Sequence, residues 1–98
     1  MNREVVLSTL NEHLKEINQF GVKSLALFGS IARNEATPDS DLDFLVEFKG
    51  AATLDGYMGL KFLLEDLFDK EVDLVIKADL KPQIRENVIN EAIHVTSP

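Results

Sequence analysis

Leu27-Phe28-Gly29-Ser30-Ile31-Ala32-Arg33 and Ser40-Asp41-Leu42-Asp43-Phe44-Leu45-Val46-Glu47-Phe48 are the stretches whose reading decides the fold. The first ends a strand, Val22 to Phe28, in which Val22, Ser24, Ala26 and Phe28 are expected to face one way and Leu25 and Leu27 the other, and runs straight into a Gly-Ser pair. A short helical turn is expected to start at Ser30. Glycine at 29 lets the backbone come close to a bulky anion, and N–H groups beside it, with the Ser30 hydroxyl, can hold phosphate oxygens. The second stretch is a strand from Leu42 to Phe48. Side chains two apart share a face, so Leu42, Phe44 and Val46 line the core while Asp41 and Asp43 stand side by side opposite them. A Gly-Ser pair after a strand is equally compatible with a plain turn, and a lone Asp-x-Asp with an acidic strand edge that discourages aggregation. The pair of motifs together is more informative.

Further along, Val72-Asp73-Leu74-Val75-Ile76 forms a third strand, predicted over Glu71 to Ile76, with Asp73 on the face opposite Val72, Leu74 and Ile76. If this strand neighbours the second, Asp73 joins Asp41 and Asp43. Two adjacent like charges repel, so one either raises its pKa or takes up a cation. Magnesium suits such a set, since it prefers hard oxygen ligands and commonly shares carboxylates with substrate phosphates. Three carboxylates on adjacent strands fit two cations roughly 3.5–4 Å apart, the arrangement of in-line phosphoryl or nucleotidyl displacement.

Working outward, Val6, Leu10, Leu14 and Ile17 place one apolar face on a helix over residues 3–19, which Gly21 stops. Asn34 to Ser40 reads as a loop around Thr37-Pro38-Asp39. Tyr57, Leu60, Leu64 and Leu67 give a second helix from about Leu54 to Phe68, weakened early by Gly56 and Gly59. Its stripe is widened by Phe62, Leu63 and Phe68 into a candidate docking surface or a fully buried face. Pro82 opens a third helix with Ile84, Val88 and Ala92 in line, and Ile93-His94-Val95 adds a short strand or a docked tail. The order implies an α/β (α+β) fold: one small mixed sheet covered by helices, residues 1–98 forming a single domain.

The 98 residues carry 10 Lys+Arg against 17 Asp+Glu, a net charge of −7, with 45% apolar residues and no cysteine. The acidic balance argues against direct nucleic-acid binding. Absence of cysteine excludes a disulfide framework, a thiolate nucleophile and Cys-ligated zinc. No apolar run approaches the roughly 20 residues of a bilayer span, and Met1-Asn2-Arg3-Glu4 is not a secretory signal. A cytoplasmic location without membrane attachment is expected.

Gly29-Ser30, ten intervening residues and Asp41-Leu42-Asp43, joined by Asp73, resemble the signature of the DNA polymerase β-type nucleotidyltransferase superfamily. Within it the chain is most similar to the minimal nucleotidyltransferases (MNT) of HEPN–MNT toxin–antitoxin pairs, and the likeness runs from the leading helix to the tail Leu80-Lys81-Pro82-Gln83-Ile84-Arg85 through Asn90-Glu91-Ala92. The resemblance implies a polymerase β palm-like fold and magnesium-dependent transfer of AMP from ATP. It implies that Asp41 and Asp43 bind two Mg²⁺ ions, that Asp73 completes the catalytic metal site and helps deprotonate the acceptor, and that Gly29 and Ser30 hold the triphosphate. Arg33 matches a frequent Ala-Arg pair and is expected to contact phosphate or brace the loop. Asn34 stands where many relatives carry Gly, and Asn accommodates left-handed backbone. Ser40 is expected to fix the turn.

By the same resemblance the acceptor is a tyrosine of a HEPN toxin, and this chain its antitoxin. An antitoxin that neutralises by binding alone, and transfer to a small-molecule hydroxyl or an RNA end, remain open on the residues themselves. His13 and His94 belong to no metal spacing, Tyr57 reads as a core or interface aromatic, Arg85 as a surface ion-pair former, and Glu65, Asp66 and Asp69 as a solvated helix face.

Overall fold

A computed structural model describes residues 2–35, 37 and 39–95. Met1, Ala36, Pro38 and residues 96–98 lie outside the described residues, and with them the two ends of the expected domain and part of the expected 34–40 loop. Two short helices, α1 (Arg3–Glu12) and α2 (Leu14–Asn18), precede strand β1 (Val22–Phe28). A single helical turn, α3 (Gly29–Ala32), leads towards β2 (Leu42–Phe48), then α4 (Leu54–Phe68) and β3 (Val72–Ile76). A 3₁₀ turn (Lys77–Asp79), α5 (Pro82–Glu91) and β4 (Ile93–His94) complete the order.

The strands pair as β3-β2-β1-β4. β1 is antiparallel to β2 and to β4, whereas β2 and β3 are parallel. A parallel pair needs a long crossover, and α4 provides it. The sheet is therefore mixed, as expected. Of the two expectations for Ile93-His94-Val95, a short strand or a docked tail, Ile93-His94 takes the strand, and Val95 N–H donates to Leu25 C=O at 2.8 Å.

Strand alternation sorts the residues into two cores. Leu42, Phe44 and Val46 of β2, Leu25 and Leu27 of β1 and Val72 and Leu74 of β3 pack with Val6, Leu10, Ile17, Leu60, Leu64 and Phe68 of α1, α2 and α4. On the opposite face Ala26, Leu45 and Leu80 form a smaller cluster, touched by Phe28, Val75 and the last turn of α5 through Val88, Ile89 and Ala92.

Four local expectations need correction. The first helix is two, interrupted at His13 (φ −119°, ψ 19°), although no Pro or Gly marks the break; the His13 N–H instead bonds to Leu10 C=O, three residues back. Val22 shares its face with Leu25 and Leu27 rather than with Ser24, because the β1–β2 register shifts between Val22 and Ser24 and a bulge flips the parity. Phe68 is no docking residue: it is 6% exposed and stacks on Phe44 with ring centroids 6.2 Å apart, while Phe62 stays 59% exposed. Ile84 is 47% exposed, so only the C-terminal part of the expected α5 face meets the sheet. Gly21 (φ +79°) ends α2 as expected. Among the described residues no helix is long and apolar enough to cross a membrane.

Candidate active site

The parallel register of β2 and β3 places Asp43 directly beside Asp73. On the other side of β2, Phe28 pairs with Asp43, so the end of β1 delivers Gly29 to the same carboxylate. Asp41 lies one residue ahead of β2 and is exposed, as is Asp73; Asp43 is half-buried. Leu42 N–H donates to Glu71 C=O at 3.2 Å, which ties the entry of β2 to that of β3.

Gly29 adopts φ +79°, and an ideal Cβ there would lie 3.0 Å from Asp43 Cγ and overlap its Oδ2. Both facts demand glycine: the left-handed backbone disfavours a side chain, and the Asp43 carboxylate fills the space one would need. The following turn is anchored from behind, where Arg3 Nη1 donates to Ala32 C=O at 2.9 Å. Asn34 has φ +63°, the left-handed conformation expected of it. Thr37 N–H donates to Ser40 Oγ at 3.0 Å, so Ser40 does close the turn before the carboxylates.

One carboxylate was not anticipated. Glu91 Oε1 accepts from Gly29 N–H and from Arg33 Nη1, each at 3.1 Å, and Glu91 Oε2 accepts from Arg33 Nη1 at 3.2 Å. Arg33 Nε also donates to Glu35 Oε2 at 3.1 Å. The β1–β4 register, Ala26 with His94 and Leu27 with Ile93, continues to bring Glu91 opposite Gly29. Its signal in the sequence was the final strand itself, once that strand is placed beside β1.

Asp43 holds its proton above the ordinary carboxylate range. Partial burial is the main cause, followed by the negative charges of Asp73 and Asp41; Arg33 pulls the other way and Glu91 adds to the rise. The negative charges of Asp73, Asp41 and Glu91 thus converge around one half-buried group and oppose its ionisation.

A family model described as a nucleotidyltransferase domain matches residues 7–95. The chain belongs to the nucleotidyltransferase family. It is 41% identical over 93 residues to the protein adenylyltransferase MntA of Thermococcus cleftensis, covering 94% of both chains. A solved structure assigned to the minimal nucleotidyltransferases superimposes with a TM-score of 0.83 at 40% identity, covering 95% of each chain. A Shewanella oneidensis MNT antitoxin in complex with a tri-AMPylated HEPN toxin aligns with a TM-score of 0.68 over 98% of this chain and 73% of that one; at 17% identity this likeness concerns the fold.

In this nucleotidyltransferase the carboxylates Asp41, Asp43 and Asp73 offer only hard oxygen donors, a donor type suited to magnesium; the rise at Asp43 comes first from burial and then from the charges of Asp73 and Asp41, and a cation would offset the second part. By donor chemistry these residues suit a divalent metal. Among the described residues no three His, Cys, Asp or Glu side chains are grouped so that they could hold a metal ion as they stand. Other candidates fall elsewhere. His13 Nδ1 meets Glu16 at 3.0 Å, Tyr57 donates its hydroxyl to Leu74 C=O at 2.6 Å, and Glu65 accepts from Val72 N–H at 3.2 Å instead of facing only water. Arg85 lines a cavity of about 610 Å³ with Glu47, Lys77 and Asp79, a lining that includes neither Asp43 nor Asp73.

Proposed function

We propose that this nucleotidyltransferase moves AMP from ATP to a tyrosine of a HEPN-family toxin and thereby acts as its antitoxin, residues 1–98 working as one minimal nucleotidyltransferase domain. The observation that carries the reading is the pairing of Asp43 with Asp73 across parallel strands while Gly29 packs against Asp43. A triphosphate-binding turn and a carboxylate group then share one sheet end. The relative MntA is a protein adenylyltransferase of nearly the same length, and the distant Shewanella fold neighbour sits on an AMPylated HEPN toxin; both support the choice of donor and acceptor.

In this reading Gly29 N–H, the Ser30 hydroxyl and Arg33 orient the triphosphate, and Asp73 faces the acceptor hydroxyl. The tyrosine oxygen bonds to the α-phosphorus, the bond to the α,β-bridging oxygen breaks, and pyrophosphate leaves with that electron pair. The phenolic proton passes to Asp73. Two magnesium ions held by Asp41, Asp43 and Asp73 would supply neutralisation of the phosphate charge and a more acidic acceptor.

The test is to incubate the protein with ATP, Mg²⁺ and its cognate HEPN protein and to map modified peptides by mass spectrometry. An AMP increment on a partner tyrosine is expected, and Asp73→Asn should reduce its rate by about two orders of magnitude or more. Equal labelling by the variant, or label found only on RNA or a small molecule, overturns the reading. A variant that no longer labels the partner yet neutralises it fully would assign the antitoxin role to binding alone.

A further inference from the structure

We propose that Glu91 is a built-in competitor for the nucleotide: its carboxylate occupies the Gly29 and Arg33 donors that a triphosphate needs, and releases them when a nucleoside triphosphate binds. This rests on the reading of Gly29 and Arg33 as phosphate donors given above.

The geometry is that of an oxyanion already bound. A single oxygen, Glu91 Oε1, receives Gly29 N–H and Arg33 Nη1 at 3.1 Å each. Two donors from different residues converging on one atom mark where a phosphate oxygen would sit. A carboxylate and a phosphate oxygen cannot share the same two N–H bonds, and their charges repel at that distance. Glu91 also adds to the negative field on Asp43, so its position opposes the arrival of a polyanion twice.

The backbone of Glu91 need not move for the exchange. Pairing of Ile93 and His94 with β1, and the Val95 N–H bond to Leu25 C=O, hold the chain just beyond it. The side chain is 29% exposed, and no residue of α5 is buried, so rotation of the carboxylate towards solvent leaves the strand intact. Arg33 keeps Glu35 as a second partner through Nε, which leaves the Nη1 edge as the part exchanged. In the absence of nucleotide the same clasp holds Gly29 in the left-handed conformation the site requires.

The experiment measures equilibrium affinity of the full chain, without any acceptor protein, for Mg²⁺-ATP and for inorganic triphosphate, in wild type, Glu91→Gln and Glu91→Ala. Amide and guanidinium NMR signals of Gly29, Ser30 and Arg33 are followed in the same titrations. The glutamine variant keeps the shape and removes the charge. Both variants are expected to bind ATP and inorganic triphosphate roughly threefold to tenfold more tightly, since the displaced bonds are charge-assisted but partly exposed. Without ligand, the Gly29 amide and Arg33 guanidinium signals should already differ from wild type. Unchanged or weaker binding of both ligands by the two variants overturns the competitor role and makes Glu91 a brace for the turn. If ATP fails to move the Gly29, Ser30 and Arg33 signals of wild type, the nucleotide site itself is wrong and the competitor role falls with it. If those signals move but the variants gain nothing, only the competitor role falls.

Discussion

The two faces of the sheet are built from the same strands and do opposite things. Along β2, Leu42, Phe44 and Val46 are fully buried beneath α1, α2 and α4, whereas Asp43 and Glu47, one residue out of phase, are only half-buried. The second face is covered by Leu80 and the end of α5, a helix with no buried residue. Three helices on one side provide the apolar burial that holds a small domain together. The thin cover on the other leaves charged groups reachable by a ligand. Stability and chemistry are thus separated by a single residue of strand phase.

The contrast can be broken most severely from the dry face. Phe44→Ala removes a fully buried ring stacked on Phe68. It is expected to cost about 3–5 kcal/mol, a large share of the roughly 5–15 kcal/mol available to a natural domain. Urea denaturation of both proteins measures this directly, and a loss below about 1 kcal/mol would mean that the two faces share the burden.

Gly29→Ala attacks the boundary. The added methyl combines a left-handed φ with overlap on the Asp43 carboxylate. A destabilisation of about 1–3 kcal/mol, together with weakened ATP binding, is expected. Thermal melts and nucleotide titration on one preparation separate the two effects. Ser30→Ala tests the wet face alone. Among the described residues no protein group bonds to the Ser30 hydroxyl, and its loss should weaken ATP binding by about 1.5–3 kcal/mol while leaving the melting temperature within a degree or so of wild type.

The smallest and most telling effect is on pH dependence at Asp43. The folded protein holds the Asp43 proton more tightly than an unfolded chain does, through burial and then the charges of Asp73 and Asp41. That preference stabilises the fold below the ordinary Asp range and is lost as pH rises through the raised value. At neutral pH the ionised carboxylate is a burden, so Asp43→Asn should melt slightly higher than wild type in the absence of metal. The gap should close as pH falls towards about 4 and narrow when Mg²⁺ is added. A variant that melts lower than wild type at neutral pH contradicts the raised value. The same substitution should abolish nucleotidyl transfer, which shows a gain in stability and a loss of chemistry in one side chain.

The sequence by itself determined everything that depends on neighbours along the chain. Alternation within Leu42–Phe48 sorted Asp43 from Phe44, because pleating sends adjacent side chains to opposite faces whatever the strand pairs with. Gly29, the left-handed Asn34 and the Ser40 turn are properties of a few consecutive residues. Tertiary structure alone decided what depends on register between distant segments. Asp73 is beside Asp43 only because β3 pairs in parallel with β2, and Glu91 meets Gly29 only because β4 closes against β1 in one alignment. Phe62 and Phe68 have the same chemistry and sit on one helix, yet one is exposed and the other stacks in the core. The bulge between Val22 and Ser24 and the break at His13 likewise carry no residue signature. Register is chosen by the total burial and hydrogen bonding of whole elements, a sum over contacts far apart in the chain, and so it becomes visible only when the elements are packed together.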